Sequence, residues 1–162
     1  MSPIELGVQI INDTLSNHLP FTLDSRAARI QLLSTGLQES GFTHRVQMGG
    51  GPAHSFWQIE GGSMSGIANI FTHPHALAIL QDVCAKYAIP CTRLDVYTAI
   101  AANDLLGCVV ARLIYLCNPD PFPTPGDEQA AWHYYLGTWH PGRPRVDSWA
   151  TNYAAALQAF PA

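Results

Sequence analysis

Apolar residues at Ile4, Leu6, Val8, Ile11 and Leu15 recur at helical spacing and predict a first helix from Ile4 to His18, closed by Pro20. A second helix opens at an Asp24-Ser25 cap and carries Ala27, Ala28, Ile30, Leu33 and Leu37 to about Ser40, where Gly41 stops it. The pattern then breaks into a glycine-rich loop, Met48-Gly49-Gly50-Gly51-Pro52. That loop leads to the short run Ser55-Phe56-Trp57-Gln58-Ile59-Glu60, one strand of a small hairpin or an irregular segment. Helical spacing resumes from Met64 to Ile70 and again after Pro74 as far as Tyr87. From Leu94 to Cys117 the chain is apolar on nearly every side, which predicts a helix in the middle of the molecule. Four prolines between Asn118 and Gly126 impose a loop. Two amphipathic helices follow, Asp127 to about Trp139 and Asp147 to Phe160, separated by His140-Pro141-Gly142-Arg143-Pro144. The expectation is an all-α single domain over residues 1–162, of about seven helices, with one short irregular or hairpin segment.

Composition fits that picture. Of 162 residues, 48% are hydrophobic, enough for a core without cross-links, and only 12% are charged. So little charge leaves neutral polar and aromatic surface, as sugar clefts and oligomer interfaces both have. A net charge of −4 offers no basic footprint and argues against nucleic acid. It also gives no long-range steering toward an anionic cell wall. No apolar stretch approaches the roughly 18 residues of a membrane span, and Met1 to Leu15 reads as a helix rather than a signal peptide. The chain is therefore expected to remain in the cytoplasm where it is made unless another protein lets it out. Cys84, Cys91, Cys108 and Cys117 lack metal-site spacing and read as free buried thiols, with a disulfide as the alternative. His73-Pro74-His75 reads as a helix-entry turn ahead of a metal pair.

Glu39 is the residue that calls for chemistry. It falls in the last turn of its helix, where unpaired carbonyls disfavour negative charge and stability alone would ask for a cation. Thr35 and Gly36, one turn earlier, are small and predict open space over the same face. A carboxyl so placed is expected to have a raised pKa and to serve as a general acid in glycosidic cleavage. The alternative is a surface glutamate at a frayed helix end. Ser40 has no histidine partner in a recognisable elbow, which argues against a serine hydrolase.

Four segments in order strengthen the catalytic reading. Glu39-Ser40-Gly41-Phe42 and, further on, Ser55-Phe56-Trp57-Gln58-Ile59 resemble the first two signatures of the lytic transglycosylase and goose-type lysozyme superfamily. Asn103 and Gly107 resemble its third, an asparagine with a glycine four residues later on a central helix. Tyr134-Tyr135-Leu136-Gly137 before Pro141-Gly142 resembles its fourth. Ser55-Phe56-Trp57 replaces the family's Gly-Leu-Met, and its Ala-Tyr-Asn is missing. The chain also resembles small lysozyme-like proteins of tailed phages and prophages, with their Trp-Gln segment and Trp-x-Tyr-Tyr…Trp-x-Pro-Gly ending.

The resemblance implies a lysozyme-like fold that cleaves the β-1,4 bond between N-acetylmuramic acid and N-acetylglucosamine in peptidoglycan, with no cofactor and no metal. It makes Glu39 the catalytic acid. Glu60 is the candidate second carboxylate, and Ser55, Trp57, Gln58, Asn103 and Tyr135 are candidate substrate contacts. Trp57 offers a flat face for a pyranose or a core anchor for the loop. Gln58 offers hydrogen bonds to an N-acetyl or hydroxyl group, and Tyr135 offers one to substrate or Glu39. Asp104 reads as a paired structural carboxylate, and His54 as a solvated loop residue near the cleft. Trp132, Trp139 and Trp149 are expected to seal the last helices onto the core. Release through a holin, or carriage in a virion, would bring such an enzyme to its wall. Two rivals remain at this stage: a non-catalytic saccharide-binding or virion structural protein of the same shape, and a helical module whose aromatics bind a protein partner.

Overall fold

The computed structural model describes residues 1–162 and contains eight α-helices and no strand. Helix α1 (Pro3–Asp13) starts at a reciprocal cap, with Ser2 and Glu5 each accepting the other's backbone N–H. It widens into a π-helical turn at Thr14–His18 before Pro20. Helix α2 (Arg26–Glu39) is capped by Ser25, whose hydroxyl accepts from the Ala28 N–H, and it ends at Ser40-Gly41 with Gly41 at positive φ.

Five shorter or middle helices follow: α3 (Gly66–Thr72), α4 (Pro74–Lys86), α5 (Arg93–Ala99), α6 (Asp104–Leu116) and α7 (Glu128–Trp139). Helix α8 (Val146–Ala159) closes the chain. His73 caps α4, its Nδ1 accepting from the Ala76 N–H at 3.2 Å, which is the helix-entry turn its sequence suggests. The segment after α2 is irregular, its only strand-like pairings being isolated bridges from His54 to Val46 and to Ile59.

The single helix expected from Leu94 to Cys117 is in fact two. Asn103 steps out of helical geometry, and its side chain accepts from the Leu106 N–H at 2.9 Å, capping α6 and separating it from α5. Helix α6 is buried along most of its length, from Leu106 to Tyr115. Helix α2 is also central, packing chiefly on α8 and touching α1, α6 and α7. Its buried face includes Gln31, Ser34, Thr35 and Gln38, all of them hydrogen-bonded. A hydrophobicity pattern misses such positions because it scores their polarity and not their partners.

The space expected above Gly36 is occupied. Gly41 and Phe42, both at positive φ, fold the Phe42 ring back over α2. A Cβ on Gly36 would lie 2.3 Å from that ring, and one on Gly7 of α1 would lie 2.8 Å from it. Phe42 thus joins α1, α2 and the following loop, and meets Phe56 and Trp57 at centroid distances of 5.2 and 5.4 Å. At the other end Trp132, Tyr135 and Trp149 stack between α7 and α8, with Tyr135–Trp149 at 5.0 Å. All four cysteines are free thiols; Cys84 and Cys108 are buried, Cys91 and Cys117 half-buried.

Candidate active site

Glu39 is the last residue of α2, half-buried, and lines an open cleft of about 660 Å³. The Tyr135 hydroxyl, from α7, donates to its Oε1 at 2.5 Å. Burial raises the Glu39 pKa above the ordinary glutamate value of 4.5. The Tyr135 hydrogen bond and the Arg145 charge oppose that rise, and Glu60 adds to it. Burial dominates, so the neutral acid is favoured here beyond what it is in water. Tyr135 itself is pushed up, by burial first and then by the neighbouring Glu39 carboxylate, and stays a hydrogen-bond donor.

Ser40, the next residue, holds this helix end against the loop. Its hydroxyl donates to the Phe56 carbonyl at 2.6 Å and accepts from the Phe42 N–H. Ser55 and Gln58 both take positive φ, a costly backbone for side-chain-bearing residues that a tightly packed loop enforces. Gln58 lines the cleft, and its amide donates to the Ser55 carbonyl at 2.9 Å. Glu60 is exposed and lines the same cleft.

The cleft therefore brings together Glu39, Gln58, Glu60 and Tyr135, and leaves three sequence candidates outside. Trp57 has no exposed surface and cannot stack on a sugar. Its indole N–H donates to the Leu32 carbonyl at 2.9 Å, and its own carbonyl accepts from the Trp139 indole at the same distance. Ser55 is also buried, its hydroxyl accepting from the Trp57 N–H. It packs against Gly107, where an added Cβ would come within 3.0 Å. Asn103 is committed to capping α6 and does not line the cleft. Asp104 makes a two-pronged ion pair with Arg45 at 2.7 and 2.9 Å, the paired structural role its sequence suggests. His54 is half-buried and does not line the cleft: it stacks on Tyr97 at 4.1 Å and bonds the Tyr97 carbonyl.

Sequence reasoning gave no cleft role to Gln38, Trp139, His140, Arg143 and Arg145, all of which line the cleft. Gln38 is the organiser. Its amide donates to the Arg145 carbonyl at 2.8 Å, its oxygen accepts from Ser148 and Asn152, and its carbonyl accepts from the Arg145 guanidinium. The Arg143-Pro144-Arg145 sequence was the available signal, two of only eight cationic Lys and Arg side chains placed beside a Pro-Gly turn. A second hollow of about 650 Å³ adjoins the first and shares Asn69, Ile114, Thr138 and His140 with it. In the core, the Tyr115 hydroxyl bonds Thr35 at 2.7 Å and ties α6 to α2. No protein-family model, curated protein or solved structure matches the chain.

Proposed function

We propose that the chain cleaves peptidoglycan glycan strands at the β-1,4 bond between N-acetylmuramic acid and N-acetylglucosamine, with Glu39 as general acid. One observation carries this reading: a carboxyl whose pKa burial raises still lines an open cleft. Two adjoining hollows suit a polymer better than a small metabolite. Tyr135 occupies Oε1 of Glu39, which leaves Oε2 to carry the proton toward a glycosidic oxygen.

In the reaction Glu39 gives that proton to the departing sugar oxygen as the glycosidic bond breaks. The anomeric carbon is then attacked by water, with Glu60 accepting the water proton, or by the substrate's own hydroxyl, whose proton returns to Glu39. No cofactor or metal takes part in this scheme. Release through a holin, or carriage in a virion, would bring the enzyme to the wall.

The test is release of soluble muropeptides from purified peptidoglycan by wild type and Glu39→Gln. The variant is expected to lose at least about a hundredfold in rate, the scale of general acid catalysis. Equal release by both would end the assignment. Mass spectrometry of the products separates the two chemistries: reducing ends mean hydrolysis, 1,6-anhydro ends mean transglycosylation.

A further inference from the structure

The chain is acidic, with only eight Lys and Arg side chains, yet two of them stand two positions apart on one rim of the cleft. Arg143 and Arg145 both line it, together with His44 and His140. The three ion pairs of the molecule, His18–Asp13, Arg29–Asp24 and Arg45–Asp104, use neither arginine. Arg145 is also pre-positioned, since its backbone carbonyl and its guanidinium are both held by Gln38. The anions facing this cluster are Glu39 on α2, already hydrogen-bonded to Tyr135, and Glu60 on the opposite loop. Guanidinium groups left without a carboxylate partner at a cleft present planar, charged donors that match a carboxylate two bonds at a time.

We infer that Arg143 and Arg145 form a carboxylate-binding subsite in the cleft, which selects glycans bearing an acidic substituent over neutral ones. The inference rests on the glycan-cleaving reading and names its substrate class. Cationic character here also offsets the unfavourable net charge of the chain, by supplying short-range attraction for an anionic wall polymer where long-range steering is missing. A carboxylate in peptidoglycan has two sources, the lactyl group on the sugar and the stem peptide attached to it.

Affinities are measured by calorimetry in the Glu39→Gln background, which removes turnover, with three probes of equal sugar length. These are a neutral N-acetylglucosamine oligomer, glycan fragments stripped of peptide so that the lactyl carboxylate is free, and fragments with intact stem peptides. At least one acidic probe is expected to bind about tenfold or more tighter than the neutral one, and which of them does so identifies the source. Adding Arg143→Gln is expected to bring that ratio toward one and to flatten its dependence on salt. Equal affinities for all three probes, no binding of any, or a ratio unchanged by Arg143→Gln would overturn the inference. Arg143 is exposed on a loop, and far-UV circular dichroism checks that the variant is folded. The cleavage assay fails separately: wild type that cleaves without acidic preference refutes only the subsite, whereas acidic preference without cleavage refutes only the enzyme reading.

Discussion

At Glu39 two influences compete, and their signs make the site testable. Burial raises the pKa, and the Tyr135 hydroxyl and Arg145 lower it. Tyr135→Phe removes the donor at 2.5 Å, so the acid should hold its proton to higher pH. The alkaline limb of the pH–activity profile is expected to move up in this variant, and a limb that stays put would separate Tyr135 from the acid. The same imbalance bears on stability. A carboxyl whose native pKa exceeds its unfolded value contributes stability in full below the unfolded value, and that contribution is lost as pH rises through the native one. Glu39→Gln carries no such loss. Its melting temperature should therefore gain on wild type between acid and neutral pH, and a difference flat across that range would show the carboxyl to be unperturbed. The residue-level reading from sequence placed Glu39 at its helix end and left Trp57 open between a cleft wall and a core anchor; the structure takes the second. A tryptophan's amphipathic ring suits a cleft wall or a core equally, and here Leu32 and Phe42 claim it.

Among the elements, α2 has the least conventional design. It is buried on faces that carry Gln31, Ser34, Thr35 and Gln38, because neighbouring carbonyls and hydroxyls satisfy each of them. Its Gly36 exists for the Phe42 ring. Gly36→Ala would place a methyl 2.3 Å from that ring and is expected to cost about 1–3 kcal/mol of overpacking, read from chemical denaturation. Gly137 in α7 is the control, with nothing within 4 Å of an added Cβ. Gly137→Ala should stabilise by up to about 1 kcal/mol through helix propensity alone. If both changes act alike, the account of Gly36 as a packing notch is wrong. The break between α5 and α6 shows a different limit of pattern reading: apolar residues run on through Ile100, Ala101 and Ala102, yet α5 ends at Ala99 and α6 begins only after the Asn103 cap.

For the molecule as a whole, the cleft depends on how the α7–α8 connection is held. No helix forms that connection; Gln38 ties it to α2 through Arg145, and ties the start of α8 to α2 through Ser148 and Asn152. Gln38→Ala should free residues 140–148, raising their amide hydrogen exchange while α6 stays protected, and should lower cleavage as Arg145 leaves its place. Unchanged exchange in that segment would mean that packing of α8 on α2, and not the glutamine, fixes the loop. None of the helices is long and apolar enough to cross a membrane.

Most helix positions, the α2 cap at Ser25 and its stop at Gly41, and the candidacy of Glu39 were set by local chemistry that a linear reading captures: spacing, capping side chains and the field at a helix end. The company Glu39 keeps was decided only by folding. Tyr135 lies 96 residues away in the chain and Arg145 further still, and both arrive because α7 and α8 close onto α2. Packing against α6 buried Ser55 and packing against α2 and Phe42 buried Trp57, while Arg143 was left exposed at the cleft, since which side of an aromatic or glycine-rich segment meets solvent depends on what packs against it, and that partner is not encoded within the segment.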